Sequence, residues 1–378
     1  MLKKIYVDAM PLVDNRLSGI GHSILQTLRA LENLPGFSDK YQLILLVPFT
    51  KRGSMHHWSF KHAREKVYPF PGRFMSKADV YHLLPPMDLI FGRGVYLFMN
   101  FKNWPISPMS KSITYLHDIC YAIYPQYVQP KNQRYLIQNV PRWIKRTSIA
   151  VTVSETAAKE LAEYYPDQKD KVRVVTNGVD TKDYYPSSQD KITAAKEKYG
   201  VKGRYICFLS TIEPRKNLDT LLSSLEELHN KGHKISLLLI GGKGWLNEET
   251  FAHIDRARKA GCTVVYPETY VPDEDLPPLL TGAEMLVQPS FHEGFGVAPL
   301  QAMACSTPVI ASNIPVLTEI LGDACLYYET ADSKSLTKQI IALLTQPKLV
   351  ADLTSKGLQR VKRYSWEQAA KSLVRLFE

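Results

Sequence analysis

Short apolar runs alternate along the chain with loops and with segments whose apolar residues fall at helical spacing. Ile5-Tyr6-Val7 reads as a first strand, and the loop Leu17-Ser18-Gly19-Ile20-Gly21-His22 leads into a helix with Ile24, Leu25, Leu28 and Leu31 on one face. Leu43 to Val47 is short and wholly apolar, a buried strand. Val80-Tyr81-His82 and Tyr96-Leu97-Phe98 read as further short strands, and Lys111 to Leu116 as a strand ending in His117-Asp118. Between Gln129 and Arg146, Pro141 argues against one uninterrupted helix. Ile149 to Val153 is again a strand, with Ser154 placed to cap a helix carrying Ala157, Leu161 and Ala162, and Val172 to Val175 is another.

The pattern then restarts. Residues 181–203, with Pro186, Ser187, Ser188 and a lysine-rich helix, read as a linker. Tyr205 to Leu209 is a strand followed by Ser210-Thr211-Ile212-Glu213-Pro214-Arg215-Lys216-Asn217 and a helix from Leu218. Ile235 to Ile240 runs into Gly241-Gly242-Lys243-Gly244-Trp245, and Val264 to Tyr266 is a short strand. Tyr270 opens a loop that enters a helix through Asp273, Glu274 and Asp275, acids that suit a helix amino terminus. Strands alternating with helices indicate parallel sheets covered on both faces, an α/β class. At 378 residues the chain suits two domains of comparable size, 1–182 and 183–363.

Composition narrows the class. With 45% hydrophobic and 22% charged residues the chain reads as a soluble globular protein, and no apolar run approaches the ~20 residues that span a bilayer. The opening strand, interrupted by Asp8 and Asp14, does not read as a signal peptide. Cys120, Cys207, Cys262, Cys305 and Cys325 are far apart, so neither a zinc site nor a disulfide framework is indicated and a cytoplasmic setting is expected. All of the net +10 charge lies in residues 1–185. Lys51, Arg52, Lys61, Arg64, Lys66, Arg73 and Lys77 interleave with Trp58, Phe60, Tyr68, Phe70 and Phe74, and Lys131, Arg134, Arg142, Lys145 and Arg146 add to this basic surface. It suits an anionic membrane; no nucleic-acid-binding motif accompanies it.

The most informative stretch is Ser290-Phe291-His292-Glu293-Gly294-Phe295-Gly296-Val297, between the strand Met285-Leu286-Val287 and a helix entered near Leu300. Loops of this kind lie at the carboxyl ends of a parallel sheet, where helix N–H groups face an anion and glycine lets the backbone approach it. Glu293 stands at the loop mouth, where a carboxylate accepts hydrogen bonds from hydroxyl groups, and Gln301 follows about two helical turns later. Arg215 and Lys216 offer a second, cationic loop that could clamp a diphosphate without a metal. Gly19 and Gly21 repeat the glycine loop near the start of the chain.

Together, Pro289 to Asp323, the Arg215-Lys216-Asn217 loop and the His117-Asp118 pair resemble the retaining glycosyltransferases of the GT-B fold, family 4 (glycosyl transferases group 1), notably bacterial O-antigen mannosyl- and rhamnosyltransferases. The resemblance implies two Rossmann-like domains, an acceptor domain first and a nucleotide-sugar domain second, with the helix of residues 364–378 returning to the first. It assigns His117, Glu293, Arg215 and Lys216 to catalysis and Gly19, Ser210, Thr211, Tyr270, Phe295, Gly296, Val297 and Gln301 to the donor. The implied reaction moves a hexose from GDP-mannose, dTDP-rhamnose or a UDP-sugar to a glycan or lipid-linked saccharide, with retention, by front-face attack. No metal or cofactor is expected, and the enzyme would sit in the cytoplasm, peripheral to the membrane. A non-catalytic relative that binds a sugar nucleotide or glycan is the alternative.

Gln301 departs from the family, whose second glutamate holds the nucleotide ribose; an amide keeps one carbonyl acceptor and loses the charge. A deoxyribose donor would fit that change, as would a tolerated change with a ribonucleotide donor such as GDP-mannose, or a weakened enzyme. Gln301→Glu should therefore shift preference toward ribonucleotide donors, and an unchanged ranking in a donor competition assay counts against the deoxyribose idea.

Overall fold

In the structure, a computed structural model, residues 2–14, 17–267 and 269–378 are described, and the Arg73 side chain, one of the basic residues named above, lies outside them. The chain forms two compact units. One comprises Met1–Ile119, Lys131–Gly178 and Trp366–Glu378, the other Cys120–Pro130 and Val179–Ser365.

The first unit is built on β1 (Lys3–Asp8), β2 (Tyr41–Pro48), β3 (Arg64–Tyr68), β4 (Val95–Phe98), β5 (Lys111–Tyr115), β6 (Ile149–Thr152) and β7 (Val172–Val174). They form one sheet in the order β3-β2-β1-β4-β5-β6-β7. All neighbours are parallel, with Ile5 facing Leu43 on one side and Val95 on the other. Strands with apolar residues on both faces are what such a sheet needs, because helices cover it from both sides.

Two sequence readings are corrected here. Val80-Tyr81-His82 is not a strand: the helix Gly72–Val80 occupies this stretch and turns out at His82, φ 58°. Met75, Ala78 and Asp79 are its buried positions, a helical spacing. The strand of this region is β3, within the basic aromatic segment. Second, Pro130–Arg146 is one helix with Pro141 inside it. Proline removes one backbone hydrogen bond, but Val140, Trp143 and Ile144 are buried on the inner face. From the same helix, Arg142 and the Trp143 indole each donate to Asp79 Oδ2 at 2.9 Å, and Arg146 pairs with Asp79 Oδ1 at 2.8 Å. Tertiary contacts outweigh the proline.

The helix Trp366–Arg375 belongs to this unit and packs on the helix Gly19–Asn33, burying Ala369, Ala370, Leu373 and Phe377. Lys3 donates to the carbonyl of Phe377, and Lys111 to that of Leu376 at 3.2 Å. Cations suit the carboxyl end of a helix, where carbonyls lack partners.

The second unit holds β8 (Tyr205–Leu209), β9 (Ser236–Ile240), β10 (Val264–Val265), β11 (Met285–Gln288), β12 (Val309–Ser312) and β13 (Leu326–Tyr328). Their order is β10-β9-β8-β11-β12-β13, again all parallel. From β8 the chain builds outward through β9 and β10, then starts again on the other side with β11. The reversal puts a topological switch point at the carboxyl ends of β8 and β11, the usual ligand position in such sheets. The stretch read as a linker contains the helix Gln189–Lys198, which packs against Leu276–Thr281 in the same unit.

Asp79 is almost fully buried with two arginines on it. Replacing it with alanine should cost about 3–5 kcal/mol, because two cations lose their counter-charge away from water. Urea unfolding of Asp79→Ala, compared with wild type, measures that loss.

Candidate functional site

The loops that leave β8 and β11 meet side by side. After β8 the chain passes Ser210 and Thr211 and makes a 3-10 turn at Pro214–Lys216; Asn217, at φ 50°, then starts the helix Leu218–Asn230. After β11 it passes Pro289 to Gly296 and enters the helix Val297–Ala304. The two loops are stitched together: Phe291 N–H donates to Arg215 O at 2.9 Å, and Asn217 Nδ2 donates to Pro289 O at 3.0 Å.

Glu293 lies at the centre. Its Oε1 accepts from Lys216 Nζ at 2.5 Å, Ser290 Oγ at 2.7 Å and Gln288 Nε2 at 2.8 Å, and its Oε2 from Arg215 Nη1 at 2.9 Å. Arg215 also donates through Nε and Nη2 to Glu213 Oε1, at 3.0 and 2.7 Å, and through Nη1 to the carbonyl of His292 at 2.9 Å. Glu213, Lys216 and Glu293 are buried. Burial works against the Glu293 charge, but Lys216 and Arg215, with the Lys216 and Ser290 hydrogen bonds, outweigh it and hold the carboxyl far below the usual range. Glu213 shifts the other way: burial raises it, and Arg215 and Lys216 only partly offset that. Two carboxylates that accept from the same arginine are thus driven apart in acidity.

This geometry modifies the sequence reading. The sequence puts Glu293 at the loop mouth, where a carboxylate can accept from hydroxyl groups; in the structure it is buried and balances two adjacent cations. Arg215 and Lys216, the cations that could clamp a diphosphate, are both paired with carboxylates. Glu213 and Gln288 were missed as members of the site. Glu213 stood next to the recognised Pro214-Arg215-Lys216, and only its burial distinguishes it from a surface acid.

The remaining expected residues fall in several places. Ser210 is half-buried and Thr211 exposed on the first loop, against which the glycine turn after β9 is pressed. A Cβ on Gly241, φ 149°, would lie 1.9 Å from Ser210 O, so only glycine fits. Gly296, φ 94°, caps the helix Val297–Ala304, whose first residue is Val297. Phe295 is buried edge-on against Tyr364, with ring centroids 5.5 Å apart, so its side chain packs inside the unit. Gln301, half-buried on the same helix, makes no side-chain hydrogen bond among the described residues. Tyr270 is half exposed, its hydroxyl 3.5 Å from Asp273 Oδ1.

Gly19 and His117 belong to the first unit. Gly19 opens the helix capped by Ser18, and a Cβ there would meet nothing within 4 Å. His117, just past β5, is buried with Nε2 2.9 Å from Met99 O. A carbonyl only accepts, which assigns the proton to Nε2 and leaves Nδ1 as an acceptor. Burial pushes the imidazole pKa down, more than Met99 and Asp118 raise it.

The basic surface is smaller than the sequence suggests. Arg142 and Arg146 turn inward to Asp79, Trp58 donates to Leu12 O at 2.7 Å, and Tyr68 is buried. Phe70 and Phe74, stacked at 5.1 Å, stay exposed, as do Tyr81 and Leu83. Among the described residues no group of three His, Cys, Asp or Glu side chains could hold a metal ion, and no helix is long and apolar enough to cross a membrane.

Comparison with known proteins places the chain by family and by fold. Residues 189–360 match the family model described as glycosyl transferases group 1, and residues 19–183 that of glycosyltransferase family 4. The chain is similar to the O-antigen chain mannosyltransferase B of Escherichia coli, 29% identical over 71% of this chain and 71% of that protein. It is 26% identical, over 69% of its length, to the serotype-specific mannosyltransferase WbdA of Escherichia coli, where the match spans 32% of the relative. The fold is that of the Anabaena protein HepE solved with UDP and glucose, with TM-score 0.74, 15% identity and coverage of 100% of this chain and 99% of that one.

The depressed Glu293 carboxyl makes a prediction about acid. A carboxylate whose folded pKa lies below its unfolded value of about 4.3 contributes stability fully above that value and loses it as pH falls. Glu293→Gln should be less stable than wild type at pH 7 by about 3 kcal/mol or more, and the gap should narrow steadily below about pH 4. Parallel denaturant titrations at pH 7 and pH 3 would show it; an equal gap at both would mean that the carboxylate is not charged in the folded protein.

Proposed function

The chain belongs to the family 4 glycosyltransferases of the GT-B fold, and from that premise we propose that it transfers mannose from GDP-mannose to a hydroxyl of a growing cell-surface polysaccharide. The observation that carries this reading is the Glu293–Lys216–Arg215 cluster at the switch point of the second sheet, beside the amino terminus of the helix Val297–Ala304. The names of the relatives favour mannose and O-antigen assembly.

The diphosphate would dock against Arg215 and Lys216, taking over part of the charge that Glu213 and Glu293 now balance. Released from one of its cations, Glu293 would accept hydrogen bonds from sugar hydroxyls. In the transfer step the bond from the anomeric carbon to the phosphate oxygen breaks, and the diphosphate leaves with the electron pair. The acceptor oxygen bonds to that carbon from the same face, and its proton passes to the departing phosphate oxygen, so the configuration is retained. Arg215, Lys216 and the helix terminus stabilise the charge that develops on the leaving group. We assign no metal to this reaction, since two cations already stand where a metal would act. By family resemblance His117 is assigned to the donor sugar, for which its Nδ1 is an acceptor.

Gln301 favours a second donor class. An uncharged amide suits a nucleotide with fewer ribose hydroxyls, and dTDP-rhamnose is the alternative donor. The acceptor is read as lipid-linked, with Phe70, Phe74 and nearby lysines making peripheral contact with an anionic membrane.

Thermal stabilisation by GDP, dTDP, UDP and ADP without added metal tests the donor, because a bound ligand raises the melting temperature by mass action. GDP should give the largest shift, and Lys216→Ala should remove most of it. Equal, negligible shifts with all four would favour the non-catalytic alternative.

A further inference from the structure

Between Ile119 and Lys131 the chain leaves the first unit, and Cys120–Pro130 is part of the second. This short segment, a turn of helix at Cys120–Ile123 and a 3-10 turn at Pro125–Tyr127, brings two tyrosines onto the loop that bears Glu293. The Tyr127 ring lies parallel to that of Phe291, with centroids 5.1 Å apart and 4° between the planes. Tyr124 stacks on Tyr127 at 6.0 Å and reaches the His292 ring at 5.2 Å. The Trp245 indole N–H donates to the Tyr127 carbonyl at 2.9 Å, tying the segment to the turn after β9.

Phe291 and His292 are therefore gripped from two directions. Arg215 holds their backbone, through its carbonyl to Phe291 N–H and its guanidinium to His292 O. The tyrosines hold their rings. The next residue is Glu293. Aromatic rings near a sugar site commonly offer a face to a pyranose, but Tyr127 has Tyr124 and Phe291 as ring neighbours and is committed to packing. Offset and parallel ring pairs of this kind stabilise beyond the area they bury, and so favour the loop position that keeps the stack.

We infer that Tyr127, braced by Trp245, is a positioning residue that acts through Phe291 to set the place of Glu293. The inference rests on the transferase reading for its kinetic consequence and on packing alone for its structural one. A displacement of about 1 Å in a reacting constellation costs on the order of 100-fold in rate, so the effect should fall on turnover rather than on folding.

The test uses Tyr127→Ala, Tyr127→Phe and Trp245→Phe in the full chain, with rates expressed per folded molecule. Tyr127→Ala should lower kcat by about 10- to 100-fold with a smaller change in donor KM. Tyr127→Phe, which keeps the ring, should restore the wild-type rate, and Trp245→Phe should show a weaker fall in the same direction. Amide hydrogen exchange at residues 290–294 should quicken in Tyr127→Ala and not in Tyr127→Phe. Wild-type kcat in folded Tyr127→Ala overturns the proposal, as does a Tyr127→Phe enzyme as damaged as the alanine variant. Should Tyr127→Ala fold poorly, Phe291→Leu removes the same stack while keeping an apolar side chain, and the same two readouts apply. A wild-type protein that transfers no sugar would remove the transferase reading; the exchange rates then decide the strut by themselves.

Discussion

A carboxylate and two cations taken out of water together are the constraint on which the second unit's site depends. Lys216 cannot be buried charged without Glu293, and Glu293 cannot be buried charged without Lys216, Arg215 and the hydroxyl and amide that complete its shell. That requirement fixes the separation of the loops after β8 and β11, which are otherwise only strand-to-helix turns. It also means that the resting site is close to neutral: Arg215 and Lys216 face Glu213 and Glu293. An anionic ligand meets cations already held in place, so little side-chain ordering remains for the moment of binding.

The first unit solves a similar problem away from any glycine loop. Asp79 is buried with Arg142, Arg146 and the Trp143 indole around it, and Arg146 donates onward to Asn103 Oδ1 at 2.6 Å. Asn103 in turn donates to Thr114 and to Trp143 O. The network carries the helix Pro130–Arg146 across Pro141 and joins it to the segment between β4 and β5. Charge that looks like surface in the sequence is here part of the interior.

What could be read from the sequence follows from range. The α/β class, most strands and the glycine loop before Val297 are written in local spacing, and the motifs around Glu293 and Arg215 identify the family. Pairings between residues far apart in the chain are not written there. Nothing local indicates that Arg142 turns toward Asp79, that Glu213 is buried, or that Tyr127 lies on Phe291. β12 and β13 are short apolar runs that went unmarked as strands, since a run of three or four residues looks alike in a strand and in a buried helix. The misreading of Val80-Tyr81-His82 has the same origin: three apolar or aromatic residues, with the helical spacing visible only from Met75 onward.

The helix Trp366–Arg375 covers part of the helix Gly19–Asn33, although the whole second unit is written between them. On the ribosome, where residues emerge from the amino terminus onward, Gly19–Asn33 appears before the second unit and its cover after it. The second unit's sheet can close while the first still exposes an apolar face. The order of completion is thus the reverse of the order of synthesis, and the nascent first unit is the stage that needs protection from aggregation.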